Sequence, residues 1–151
     1  TPEGKFYSQR ANVDPIIVGN LTDWLIDDVL KLVIVTDEPT TMLIIDELSA
    51  QLGGRLYVTR SYPIFAETIS ADVSKGKALA ELAKQLHIPK ENVMAIGDDL
   101  NDLDMVATAG LGIAMGSSPP DLLSNAQFVT GTVEEDGVAT AVERFILDSS
   151  T

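Results

Sequence analysis

The sequence predicts an α/β protein whose second half contains a parallel sheet. Short apolar runs alternate there with segments whose apolar residues recur at helical spacing, and glycine, proline or aspartate separates the two kinds of segment. Apolar strands that alternate with helices are typical of a parallel sheet covered on both faces. The first half has a different pattern, so we expect two unlike segments, residues 1–71 and residues 72–151.

The first segment is expected to form a small α/β layer. Runs rich in β-branched and aromatic residues predict strands at residues 32–36, 55–60 and 65–70. Apolar residues at helical spacing predict a helix over residues 40–52, which Gly53 and Gly54 end. Residues 37–39 predict a turn into that helix.

The second segment reads as repeated α/β units. Helices are predicted at residues 75–86, 101–109, 121–125 and 137–147. Strands are predicted at residues 92–96, 111–115 and 127–130. Because strands and helices alternate, we expect these strands to lie parallel in one sheet.

Composition excludes several classes of protein. The formal net charge is −13, which disfavours binding to nucleic acid or to an anionic membrane, since both need basic residues to neutralise phosphate. Cysteine is absent, so disulfides and thiolate catalysis are excluded and a cytoplasmic location is expected. No apolar run is long enough to span a bilayer. The chain starts at Thr1-Pro2 without methionine, which suggests a processed or truncated product.

A cluster of carboxylates follows the first strand of the second segment. Residues 97–104 read GDDLNDLD, with four aspartates within seven residues. The carboxyl end of a parallel strand is where α/β sheets bind ligands. Oxygen ligands without cysteine or a nearby histidine favour Mg²⁺ over zinc. Taken alone, the pattern is also compatible with an ordinary acidic helix start, where capping and the helix dipole favour aspartate and asparagine.

Four segments bring in a family resemblance. Residues 97–102 (GDDLND) match the fourth motif of Cof-type phosphatases of the haloacid dehalogenase (HAD) superfamily. Three further segments resemble family motifs. Residues 74–79 (SKGKAL) resemble the family's lysine segment, residues 111–116 (LGIAMG) its glycine-rich segment, and residues 135–139 (EDGVA) its late acidic segment. The segments occur in the family's order and close to its spacing, and the resemblance covers roughly residues 60–147. Residues 31–70 resemble the back half of the α/β cap. The resemblance implies a partial HAD-like Rossmannoid parallel sheet with part of an α/β cap domain.

The resemblance also implies roles for individual residues. Asp98 would be a ligand of Mg²⁺, and Asp102 would belong to the same metal cluster or order the lysine. Asn101 would hydrogen-bond near the phosphoryl group. Lys75 would be a buried ammonium that faces the nucleophile and the phosphate. This role agrees with its position, because a lysine at a helix start is otherwise disfavoured by the helix dipole.

Arg60 and Ser61 are candidates for substrate contact, since they lie near the expected junction of cap and core. The substrate implied by the resemblance is a sugar phosphate or another small phosphorylated metabolite. Cap side chains set the choice among such substrates in this family. The sequence therefore does not name the substrate.

The family's first motif, Asp-x-Asp-x-Thr, has no match in this sequence. The nearest segment, residues 33–40, has Asp37 but no second aspartate two residues later. Without a carboxylate nucleophile the covalent route is absent, so we expect the isolated 151-residue chain to be inactive. The strand at residues 92–96 would also keep an open edge, which predicts self-association or binding to a complementary N-terminal fragment.

Two other readings stay open at this stage. A receiver-like phospho-acceptor domain also uses an acidic cluster and a lysine, although its acidic pair precedes its lysine, whereas Lys75 precedes Asp98 here. A non-catalytic regulatory or binding fragment with the HAD fold would explain the absent first motif.

Overall fold

The computed structural model describes residues 1–148, which form two compact units with the boundary between Ala71 and Asp72. Residues 149–151 of the second predicted segment lie outside the described residues. Both units combine helices with one three-stranded sheet, and the predicted α/β class is confirmed. Within the described part of the chain, no helix combines the length and the apolar character that crossing a bilayer requires.

The first unit is built on an antiparallel sheet with strand order β1-β3-β2. Its elements are α1 (Pro2–Ala11), α2 (Leu21–Trp24), β1 (Leu32–Val35), α3 (Glu38–Leu52), β2 (Leu56–Tyr62) and β3 (Phe65–Ser70). Glu67 on the central strand pairs with Val33 on one side and with Thr59 on the other. The strands rich in β-branched residues were thus predicted at nearly their observed positions.

Helix α3 begins earlier than the sequence pattern indicates. The Asp37 carboxylate accepts a hydrogen bond from the Thr40 amide at 3.1 Å, so Asp37 is the N-cap. Pro39 is tolerated in the first turn, where its missing N–H needs no partner. The residues predicted as a turn into the helix therefore form its first turn. The helix buries Thr41 and Ile45 and packs on β2 and β3.

Helix α1 was not predicted from the sequence. It has no fully buried residue and is held to the sheet by aromatic contacts. The Tyr7 and Phe65 rings lie 5.3 Å apart between centroids, and the Arg10 guanidinium lies 4.1 Å from the centre of the Tyr62 ring. A helix that depends on a few aromatic contacts has no continuous apolar stripe, which is the signal that periodicity detects.

The second unit is built on a parallel sheet with strand order β4-β5-β6. Its helices are α4 (Lys75–Gln85), α5 (Leu103–Thr108), α6 (Pro120–Asn125) and α7 (Gly137–Val142). Its strands are β4 (Met94–Gly97), β5 (Leu111–Ala114) and β6 (Phe128–Val129). The core packs around Val106, Ala114 and Leu122, which are fully buried. On the other side of β4 from β5, the described residues place no strand.

Several helices of this unit include tighter or wider turns than predicted. The predicted helix 101–109 starts with a 3₁₀ turn at Leu100–Asp102 before α5 begins. The Asp99 carboxylate accepts the Leu100 amide at 2.7 Å and so starts that turn. The predicted helix 137–147 is an α-helix only to Val142 and continues as a π-helix over Glu143–Leu147. These changes shift element boundaries and leave the order of elements as predicted.

Candidate active site

The candidate site lies at the carboxyl end of β4, where three segments of the second unit meet. Strand β4 ends at Gly97, and the next residue is Asp98. The 3₁₀ turn that follows carries Asp102, and α4 begins with Lys75. The parallel sheet therefore places the acidic turn at its carboxyl edge, as expected for a ligand site in such a sheet.

Asp102 is the centre of this arrangement. It is buried, with 4% of its surface exposed. One carboxylate oxygen, Oδ1, accepts a hydrogen bond from Lys75 Nζ, and the other, Oδ2, accepts one from the Asp98 amide at 3.1 Å. A buried carboxylate needs such partners, because burial without them costs several kcal/mol, on the order of 3–5. Asp102 thus links the start of α4 to the end of β4.

Lys75 differs from its predicted environment in one respect. The sequence led us to expect a buried ammonium, whereas 49% of the Lys75 side chain is exposed within the described chain. Its Nζ contacts the buried Asp102 and has further N–H groups that could donate hydrogen bonds to a second anion. The residue is therefore both anchored and accessible.

Asp98 is an aspartate at this sheet edge whose carboxyl group is a weaker acid than usual. The pKa of Asp98 is raised, chiefly because neighbouring side chains desolvate its carboxyl group, although the residue as a whole is exposed. A side-chain hydrogen bond with Asp102 and the negative charges of Asp102 and Asp99 raise the pKa further, and the Lys75 charge lowers it. Crowded carboxylates of this kind are relieved when a cation binds.

The remaining predicted residues fall in two places. Asn101 lies in the same 3₁₀ turn as Asp102. Arg60 and Ser61 belong to the first unit, on β2, where Arg60 Nη1 lies 3.9 Å from the sulfur of Met42. The Ser61 hydroxyl donates to Glu67 Oε1 at 2.6 Å. Substrate contact by Arg60 and Ser61 therefore stays a prediction.

Asp37 is occupied by a structural role. Its carboxylate accepts hydrogen bonds from the amide and the hydroxyl of Thr40, and these bonds lower the pKa of Asp37. The segment around Asp37 was the nearest approach to a nucleophile motif that we had considered. The N-cap geometry gives this aspartate a sufficient structural explanation.

Asp104 and Ser74 lie in segments that the sequence singled out, but no role was predicted for either residue. Asp104 Oδ2 accepts the Gly76 amide at 3.0 Å, and Ser74 Oγ accepts the Lys77 amide at 3.2 Å. Both bonds satisfy amides in the first turn of α4, the helix that begins with Lys75. The serine could have been found as a preferred N-cap residue before a helical pattern. No local pattern could have found Asp104, since its partner is 28 residues away.

The residues present fit part of a magnesium site. Among residues 1–148, no three acidic or histidine side chains are arranged so that they could enclose a metal ion. Mg²⁺ often binds proteins through one or two carboxylates and takes its other ligands from water and phosphate. The crowded Asp98 carboxylate at the sheet edge suits this mode, whereas both oxygens of Asp102 already accept hydrogen bonds.

Comparison with protein families decides the affiliation. The family model described as haloacid dehalogenase-like hydrolase matches residues 5–142, which is most of the chain. The chain belongs to this family. The sequence-based family prediction is confirmed, and the match gives no support to the receiver-like alternative.

Two curated relatives illustrate the similarity. The 5-amino-6-(5-phospho-D-ribitylamino)uracil phosphatase YcsE of Bacillus subtilis is 41% identical over 92 residues, which cover 61% of this chain and 37% of that protein. The putative phosphatase YxeH of Bacillus subtilis is 35% identical over 122 residues, which cover 80% of this chain and 45% of that protein. The chain thus spans less than half the length of these two relatives.

Solved structures share the fold. A haloacid dehalogenase-like hydrolase from Bacteroides thetaiotaomicron superposes with a TM-score of 0.75 at 32% identity and covers 97% of this chain and 55% of its own. A HAD subclass IIB sugar phosphatase superposes with a TM-score of 0.77 at 25% identity and covers 93% of this chain and 52% of its own. The chain therefore corresponds to about half of each of these proteins.

Proposed function

We propose that this chain supplies the lysine-bearing and metal-binding part of a Mg²⁺-dependent phosphatase active site. The observation that carries the proposal is the linkage of Lys75 to the Asp98 backbone through the buried Asp102, at the carboxyl end of a parallel strand. Membership in a hydrolase family and similarity to proteins named as phosphatases support it. The proposed substrates are phosphoric monoesters of small metabolites, sugar phosphates among them.

The geometry suits charge neutralisation during phosphoryl transfer. Lys75 is anchored to Asp102, and its exposed ammonium can donate to a phosphoryl oxygen. Asp98 would hold Mg²⁺, which when bound neutralises phosphate charge. Asn101, in the same turn, would donate to the phosphoryl group. Positioning and electrostatic stabilisation account for most catalysis of this reaction, so this set of residues matches what it requires.

The nucleophile would come from a polypeptide segment that this sequence does not contain. No Asp-x-Asp-x-Thr segment occurs in the 151 residues, and Asp37 is engaged as a helix cap. We therefore propose that the isolated chain does not turn over phosphate esters. The aspartyl-phosphate route needs a carboxylate that attacks phosphorus, and charge stabilisation alone does not replace it.

The open edge of β4 is the proposed binding surface for a complementary segment or for a second copy of the chain. The described residues place no strand on one side of β4, so its backbone groups there have no ladder partner. Three exposed apolar side chains line one surface depression together with Met94 of β4: Leu82, Leu86 and Ile88. A strand that pairs with β4 in parallel, as the other strands of this sheet do, would cover part of this apolar surface and bring its own carboxyl end to the site.

The proposal is tested by hydrolysis of p-nitrophenyl phosphate with Mg²⁺ in two arms. The 151-residue chain alone is expected to be inactive. Addition of a polypeptide that carries an Asp-x-Asp-x-Thr strand from a related phosphatase is expected to produce activity that Asp98→Ala or Lys75→Ala abolishes and that Asp121→Ala leaves intact. Activity of the isolated chain that needs Asp98 would overturn the nucleophile assignment. Reconstituted activity that survives both substitutions would overturn the site assignment.

Substrate selection is proposed to involve the first unit. Ser61 and Lys31 both donate to Glu67 on the sheet, at 2.6 and 3.0 Å, which makes a polar group of a hydroxyl, an ammonium and a carboxylate. Hydroxyl-rich metabolites are recognised by such combinations of acceptors and donors. In the reconstituted system, Ser61→Ala is expected to raise KM for preferred sugar phosphates more than KM for p-nitrophenyl phosphate. An equal change for both would argue against a role in selection.

A further inference from the structure

Asp104 lies two residues beyond Asp102, in the first turn of α5. Its Oδ2 accepts the backbone N–H of Gly76 at 3.0 Å. Its other oxygen, Oδ1, is buried and accepts no hydrogen bond from the described residues. A partly buried acidic side chain thus makes one hydrogen bond to the start of α4.

The contact is too close to be incidental. A Cβ built on Gly76 would lie 2.7 Å from the Asp104 carbonyl oxygen and 2.8 Å from Asp104 Oδ2. Side chains are not tolerated at such distances, so only glycine allows the first turn of α4 to lie directly against Asp104. Position 76 therefore carries glycine, which is the residue type that permits this close approach to Asp104.

The helix end that Asp104 holds is the one that presents Lys75. Gly76 follows Lys75 directly, and Lys75 Nζ is bound by Asp102. Two aspartates that are two residues apart thus bind two successive residues of α4. Asp102 accepts a hydrogen bond from the Lys75 ammonium, and Asp104 accepts one from the Gly76 amide. The hydroxyl oxygen of the N-cap Ser74 accepts the Lys77 amide, and the Gly76 N–H donates to Asp104 instead.

The charge of Asp104 also suits this place. Helix N-termini favour anions, and a lysine in the first turn is unfavourable there. A carboxylate against the first turn offsets this disadvantage at the residue that follows the lysine. The bond to a charged acceptor is also stronger than a bond to a neutral one.

We propose that Asp104 is a positioning residue, which fixes the first turn of α4 so that Lys75 keeps its ammonium on Asp102. This inference rests on the proposed function, since the position of Lys75 matters most where a phosphoryl group is bound. Asp104 itself is not proposed to contact a reacting group. It acts through the Gly76 amide and the backbone that Gly76 shares with Lys75.

The test uses the 151-residue chain with Asp104→Ala, Asp104→Asn and the control Asp121→Ala, which removes a first-turn carboxylate of α6. Amide hydrogen exchange is measured at Gly76, and the acetylation rate of each lysine is measured by peptide mass spectrometry. In Asp104→Ala, exchange at Gly76 is expected to rise roughly tenfold, as for loss of one charge-assisted hydrogen bond. Acetylation of Lys75 is expected to rise selectively over that of Lys77 and Lys84.

The asparagine variant supplies the rescue that a positioning role requires. Its side-chain oxygen can still accept the Gly76 amide, so both readouts are expected to return most of the way to wild type. Unchanged exchange and acetylation in Asp104→Ala would overturn the proposal, and so would a uniform rise at all three lysines. If Asp104→Ala does not fold, Asp104→Ser, whose shorter side chain falls short of the amide, takes its place.

Neither readout depends on metal, phosphate or turnover. Failure here would leave the proposed phosphatase function standing. Failure of the hydrolysis experiment would in turn leave the contact between Asp104 and α4 intact.

Discussion

A Cβ atom built on Gly97 would lie 2.4 Å from the Cβ of Asp102. The last residue of β4 and the buried carboxylate of the next turn are therefore in direct backbone-to-side-chain contact. This approach brings the Asp98 amide within 3.1 Å of Asp102 Oδ2. The glycine that precedes the acidic turn is needed because of this close packing.

Gly97→Ala is expected to destabilise the second unit by about 1–3 kcal/mol, as overpacking in a filled site commonly does. Denaturant unfolding followed by circular dichroism measures the change. The matched control is Gly4→Ala in α1, where the nearest atom would lie at an ordinary contact distance of 3.4 Å. Alanine favours a helix over glycine, so the control is expected to be neutral or stabilising. Equal effects of both substitutions would contradict the packing argument.

Lys75 and Asp102 are expected to be energetically coupled. Removal of Lys75 leaves the buried Asp102 carboxylate without the ammonium that its Oδ1 accepts from. A double-mutant cycle with Lys75→Met and Asp102→Asn should give a coupling of about 1–2 kcal/mol, limited by the half-exposed lysine. Unfolding free energies of the four proteins measure it. A cycle with Lys84 in place of Lys75 is the control, and a coupling of zero in the Lys75 cycle would refute the linkage.

The raised pKa of Asp98 predicts the direction in which the free energy of unfolding changes with pH. Because the folded-state pKa lies above the unfolded value of about 3.9, the folded state binds this proton more tightly. Asp98 therefore stabilises the fold in acid, and this contribution is lost as the pH rises through the folded pKa. Asp98→Asn should accordingly gain stability relative to wild type as the pH rises from about 4 through the folded-state pKa of Asp98.

Unfolding free energies of the wild type and of Asp98→Asn across this pH range test the sign, with Asp121→Asn as control. A difference that does not change with pH, or that changes in the opposite direction, would contradict the assignment. Lys75→Met should raise the pKa of Asp98 further, because the Lys75 charge lowers it. Carbon-13 NMR titration of the Asp98 carboxyl group measures that shift.

Magnesium is expected to stabilise the chain through Asp98. A cation that binds the folded state preferentially raises stability by mass action, by about 2.7 kcal/mol at a hundredfold excess over Kd. Thermal unfolding with and without Mg²⁺ should show a higher Tm for the wild type and no shift for Asp98→Asn. Asp121→Asn controls for general screening of the negative charge. A Tm shift retained in Asp98→Asn would place the metal elsewhere.

Secondary structure of the second unit was largely accessible from sequence. Strands buried on both faces are near-continuous apolar runs, and such runs are visible in the residues of each strand by itself. The parallel sheet and the helix Lys75–Gln85 were predicted within a few residues. Helix Pro2–Ala11 was missed because its attachment depends on aromatic rings of β2 and β3, more than 50 residues later.

Part of the site could also be predicted. The residues Lys75, Asp98, Asn101 and Asp102 were named from motif resemblance, and the structure brings Lys75 together with Asp102. The half-exposed state of Lys75 was not predicted, because exposure depends on everything packed around a side chain. The roles proposed for Asn101, Arg60 and Ser61 stay predictions.

The sequence by itself determined the α/β class, the family and the acidic turn after a strand, since each is written in residue types at short spacing. Tertiary structure alone decided that Asp102 receives the lysine, that Asp104 holds the following amide and that Gly97 must be small. These three depend on distances between segments as many as 28 residues apart. Such distances follow from how helices and strands pack, which no local pattern of residues records.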